Sequence, residues 1–78
     1  MDQYIRDHKG KLFIDQNKKV VILVGRSENL FIEYTKEGNT IIPEVEYGFE
    51  VYDFSERCKY SMSQKTFFTF YKLIGTET

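Results

Sequence analysis

Seventy-eight residues hold one domain and one modest core, and a chain this short buries only roughly 60% of the surface it exposes when unfolded. An apolar fraction of 41% and an aromatic fraction of 17% exclude a disordered chain, and the single cysteine, Cys58, excludes an internal disulfide. The net charge of −1 is segregated into a balance of +3 over residues 1–26, −7 over 27–56 and +3 over 57–78. That pattern fits basic and acidic strands lying side by side, or an acidic patch kept for a basic partner.

The start, MDQYIRDHKGK, has acids at positions 2 and 7 and does not read as a signal peptide. The longest apolar run, Val20 to Val24, is five residues, far below the roughly 20 that a spanning helix needs. With one unpaired cysteine, the expected compartment is cytoplasmic, away from any membrane. Residues 1–9 form a short helical turn or a loose arm, from which Tyr4 and Ile5 can tuck against the sheet.

Lys11 to Asp15 (KLFID) reads as a short strand, and Asp15-Gln16-Asn17 as the turn after it, since Asp and Asn side chains bond nearby backbone N–H groups. Lys18 to Val24 (KKVVILV) is the most strand-like stretch. Val20, Ile22 and Val24 face one way and Val21 and Leu23 the other, so both faces need cover and the strand belongs in the centre, in a curled sheet or barrel, or against another subunit. Gly25 to Asn29 reads as a loop; it lacks the glycines and the Gly-Lys-Ser/Thr of a phosphate cradle. Leu30 to Thr35 (LFIEYT) resumes a strand, and Lys36-Glu37-Gly38-Asn39 reads as a hairpin turn.

After Thr40-Ile41-Ile42, Pro43 should interrupt the ladder or sit at an edge. Glu44 to Tyr52 (EVEYGFEVY) alternates with period two: Val45, Tyr47, Phe49 and Val51 are expected inside, and Glu44, Glu46 and Glu50 outside. Gly48 marks a bulge, a bend or the close approach of another backbone. Over Asp53 to Lys65 the Asp53…Glu56 spacing resembles a capping box, which favours a short helix over 54–60 above a small strand around Cys58–Met62. Thr66 to Ile74 has apolar groups at helix spacing, but its Thr, Phe and Tyr content favours a strand. Residues 75–78 read as a free tail.

The fold expected from these elements is a single mainly β (or β-rich α+β) domain over 1–78. Its architecture would be a small, strongly curved antiparallel sheet or a five- to six-stranded barrel-like meander, with at most one short helix near 54–60.

Catalysis needs converging titratable groups, and few are offered. His8 lies in a polar segment without an evident partner. Cys58 stands between Arg57 and Lys59 with no designated base, which fits a structural thiol better than a nucleophile. Glu44, Glu46 and Glu50 share one strand face, on which alternating residues lie about 7 Å apart, near enough for a carboxylate pair or a hard-cation site, yet nothing completes either arrangement. No catalytic residue, metal ligand or cofactor site is therefore assigned.

The expected function is a non-catalytic, regulatory type of interaction module that binds a protein partner with a basic surface, or its own copy as a homodimer. The contact residues are Glu44, Glu46 and Glu50, with Tyr34, Tyr47 and Tyr52; Tyr47 joins only if the inward face meets a partner. The alternative is a small β domain binding single-stranded nucleic acid through Lys9, Lys11, Lys18 and Lys19, with Arg57, Lys59 and Lys65 extending the basic surface.

Overall fold

A computed structural model describes residues 2–75. Two helices, α1 (Asp2–His8) and α2 (Gln64–Phe70), accompany five strands: β1 (Leu12–Ile14), β2 (Val20–Glu37), β3 (Thr40–Asp53), β4 (Cys58–Met62) and β5 (Lys72–Leu73). The strands form one antiparallel sheet in the order β4-β3-β2-β1-β5. The order is linear and β4 and β5 are outer strands, so the sheet is open and no barrel closes. That corrects the expected curled or barrel-like meander. The expected helix over 54–60 is likewise absent, and two others stand at 2–8 and 64–70.

Local chemistry accounts for each departure. Asp53 does cap the residues after it: its Oδ1 accepts from the backbone N–H of Ser55 (2.9 Å) and Glu56 (3.1 Å). What it caps is a single turn, because Arg57 adopts a left-handed φ of 59° and sends the chain back into β4. In the 66–74 segment, helix spacing prevails over strand propensity. Ser63 caps α2, accepting from the Thr66 N–H at 3.1 Å, and Phe67 is the side chain the helix buries. The strand expected over 66–74 shrinks to β5, two residues paired with β1. Of the expected tail, Gly75 ends a turn and residues 76–78 lie outside the described residues.

Both hairpins form where turn residues place them. Asp15 Oδ1 accepts from the N–H groups of Asn17 (2.9 Å) and Lys19 (2.8 Å), closing β1 onto β2. Gly38, with φ 59°, and Asn39 make the two-residue link between β2 and β3. As the run 18–24 implied, β2 is the central strand.

The expected loop at 25–29 is instead bulged strand. From Leu23 to Gly25, β2 takes two steps where β3 takes one, and from Arg26 to Leu30 it takes four where β3 takes two. Ser27 fixes this irregularity: it is buried, its Oγ lies 2.6 Å from Ser61 Oγ of β4, and it accepts from the Asn29 N–H at 2.9 Å.

The core is small. Phe13, Val21, Leu23, Phe49, Val51 and Phe67 are buried, flanked by Tyr4 and Ile5 of α1 and by Tyr60, Met62, Tyr71 and Leu73. Gly48 and Phe49 are both buried, which a flat half-exposed strand does not give, so the covered side of β3 changes here. A Cβ on Gly48 would overlap the Met62 carbonyl oxygen and the Phe31 ring, which realises the close backbone approach expected at this position. Gly48→Ala should therefore cost about 3 kcal/mol of folding stability. A urea titration measures it, and an unchanged midpoint would contradict the packing described.

Candidate functional site

Past the bulge, β2 and β3 leave the sheet together. β4 pairs with β3 only over Phe49–Asp53, and β1 pairs with β2 only over Val20–Ile22. From Leu30↔Tyr47 to Glu37↔Thr40 the two strands pair with each other alone, a ribbon about 23 Å long at ~3.3 Å per residue. This arm accounts for the 40 Å length of a molecule otherwise 27 by 25 Å across.

The pairing register sorts the arm into two unlike faces. Leu30↔Tyr47, Ile32↔Val45, Tyr34↔Pro43 and Lys36↔Ile41 share one side. Its six large apolar side chains are all exposed: Leu30 and Ile32 at 57%, Tyr34 and Ile41 at 63%, Val45 at 58% and Tyr47 at 42%. The inward placement expected for Val45 and Tyr47 is thus corrected. Side chains still alternate, but of the four expected inside only Phe49 and Val51 are in the core, and past Gly48 α2 lies toward the Glu44 and Glu46 side. At the base of the face, the Arg26 guanidinium lies 4.4 Å from the centre of the Tyr47 ring.

The other side carries Phe31↔Glu46, Glu33↔Glu44 and Thr35↔Ile42. Glu33 and Glu44 are directly opposed like charges, an arrangement that weakens a ribbon. With Glu46, Phe31, Lys65 and Phe68 they line a hollow of about 270 Å³ between the arm and α2. Gln64 Nε2 donates to the Tyr47 carbonyl at 2.7 Å and ties α2 to the arm's open edge.

Not all residues singled out in the sequence converge. Glu44 and Glu46 sit together on the arm, exposed, whereas Glu50 lies beyond Gly48, half-buried, beside Arg26, Glu28 and Ser61. Tyr34 and Tyr47 belong to the apolar face. Tyr52 is half-buried on the side of the sheet away from the helices, its ring edge-on to Phe54 at 5.2 Å. That back surface also carries Leu12 (41% exposed), Ile22 and Phe54 (49% exposed), so the side of β2 opposite the core is only partly covered.

The lysines divide. Lys9 and Lys11 precede β1, while Lys18 and Lys19 stand at the turn beyond its far end. Lys19 is further engaged by an ion pair with Asp53, Nζ to Oδ2 at 3.3 Å. Lys65 borders the acidic hollow, and Arg57 and Lys59 belong to the β4 edge of the sheet.

One residue that sequence reasoning took for a simple cap does more. Asp53 is fully buried; besides the turn N–H groups, its carboxylate accepts from Ser55 Oγ (2.8 Å) and Tyr60 OH (2.9 Å). Burial pushes its pKa up, but these hydrogen bonds and Lys19 outweigh burial and hold it well below the usual carboxylate range. Tyr60 moves the other way: burial, then the Tyr71 hydroxyl and the Asp53 charge, raise its pKa far above that of a free phenol. Each acceptor site of the carboxylate is met from within the chain, which marks the cluster as a tie between the β1–β2 turn, the end of β3 and β4.

His8 stacks on Tyr4 at 4.0 Å, with Nδ1 2.9 Å from the Tyr4 carbonyl oxygen, and Cys58 is exposed at the start of β4. Among the described residues no group of three or more His, Cys, Asp or Glu is placed to hold a metal ion, and no helix is long and apolar enough to cross a membrane. The chain matches no protein-family model, no curated protein and no solved structure.

Proposed function

We propose that this is a non-catalytic protein-interaction module whose binding element is the β2–β3 arm. The observation that carries the reading is the apolar face Leu30, Ile32, Tyr34, Ile41, Val45 and Tyr47, exposed on the side of the ribbon away from α2. An isolated two-stranded hairpin is marginal in water, and a contiguous exposed apolar patch of this kind is a common mark of an interface. Tyr at two of the six positions supplies large, stiff, amphipathic anchors. Glu33, Glu44 and Glu46 on the reverse side give the arm an acidic back that favours partners with basic surfaces.

Photo-crosslinking tests the reading. A benzophenone amino acid replacing Tyr34 or Ile41 should yield discrete protein adducts in the cells that make the chain, whereas the same group at Lys59 on β4 should yield none. Absence of any adduct from the arm positions would remove the proposal.

A further inference from the structure

We infer that the apolar face of the arm is covered by a second copy of this chain, forming a two-fold dimer in which two ribbons stack face to face. The inference rests on the interaction reading above and names the occupant. Its first support is area. The six exposed side chains leave on the order of 600 Å² uncovered, so two copies can bury up to about 1,200 Å² in total, which reaches the lower bound for specific, stable interfaces.

Its second support is charge. A two-fold contact brings the same patch of both subunits together, so the patch must tolerate itself. The apolar face has no carboxylate; its charged residues are two cations at opposite ends, Lys36 at the tip and Arg26 at the base against Tyr47. The reverse face, with Glu33, Glu44 and Glu46, would set like charges against like and cannot self-associate in this way. Stacking through the apolar side leaves all of these acids in water on the two outer surfaces.

The third support is shape. The Ile32↔Val45 pair lies between Leu30↔Tyr47 and Tyr34↔Pro43. A two-fold axis through the middle pair sets Leu30 and Tyr47 of one copy over Tyr34 and Pro43 of the other. Each end then carries two rings, Tyr47 and Tyr34, and two smaller groups, Leu30 and Pro43, which two sheets about 10 Å apart can interleave. The resulting two-layer ribbon gives the apolar side of each arm the layer it lacks.

Sedimentation equilibrium on the purified 78-residue chain, from low micromolar to several hundred micromolar, decides the matter. The expected result is a dimer whose dissociation is unmoved by salt. Ile32→Glu and Val45→Glu should each weaken association at least about 30-fold while the far-ultraviolet dichroism stays that of the parent. Phe54→Glu, on the back of the sheet, should leave the dimer intact. A parent chain that stays monomeric throughout overturns the inference, whatever the variants do. So does a dimer that Phe54→Glu dissociates and Ile32→Glu does not. A monomeric chain whose arm still crosslinks to a different protein would overturn this inference and leave the interaction reading standing, whereas an arm with no adduct removes both.

Discussion

Phe67→Ala is expected to bring the chain close to unfolding at room temperature. Phe67 is the side chain α2 buries, and its ring meets Phe13 edge-on at 4.8 Å and Phe49 at 5.0 Å. Truncating a buried Phe costs about 3–5 kcal/mol through lost transfer energy and the cavity left behind. A domain of this length holds about 4–12 kcal/mol in all. The loss also undocks α2, and with it the Gln64 bond that steadies the arm. Phe70→Ala is the comparison, since Phe70 is 48% exposed and should cost less than about 1 kcal/mol. Urea melts of the two variants measure the difference, and equal midpoints would mean that α2 does not hold the core.

The second large effect is centred on Asp53. Its folded-state pKa is depressed, so the stability it contributes is present above the ordinary carboxylate value of about 3.9 and is lost as pH falls from there toward the folded-state value. Lys19 and Tyr60 act at the other end, because both folded-state pKa values are raised. Their contribution is complete below the unfolded values of about 10 and declines as pH climbs through the folded ones. The melting temperature should therefore be flat from pH 5 to about 9 and fall on both sides. Asp53→Asn keeps the shape but sets an amide N–H₂ where Lys19 and Tyr60 need an acceptor. It should lower Tm by upwards of about 10 °C at neutral pH and remove much of the acid limb. A parent protein that melts at the same temperature at pH 2 and pH 7 would refute this account.

How much of this was legible in the chain depended on whether the deciding interaction was local. Asp15 with Asn17, and Gly38 with Asn39, specify their turns through contacts a few residues long, and both hairpins formed where expected. Gly48 could be read as a close approach because few other reasons put glycine in an alternating strand. The segment 64–70 resisted reading because its propensity and its periodicity disagree. The tie is broken by Phe67 docking on Phe13 and Phe49, residues distant in sequence, although Ser63 three places before Thr66 was a local hint of a helix start. β4 was obscured by its polar composition, since CKYSM takes its partner from β3 and not from its own pattern. The alternation at 45–51 sorted the side chains into two sets correctly and could not say that the side turned toward the helices changes at Gly48. The candidate site lies in that difference: the same pattern that buries Phe49 and Val51 leaves Val45 and Tyr47 in water.

Because the arm is a ladder of cross-strand pairs beyond the last bulge, its reach can change only in whole rungs. Removing two consecutive pairs, such as Ile32↔Val45 with Glu33↔Glu44, shortens it by about 7 Å and keeps every remaining side chain on its own side. Removing one pair swaps the oily and the acidic surfaces for everything further out. Related chains should accordingly differ in arm length by multiples of four residues, divided equally between the strands, while the turn at Gly38–Asn39 moves in or out as a unit.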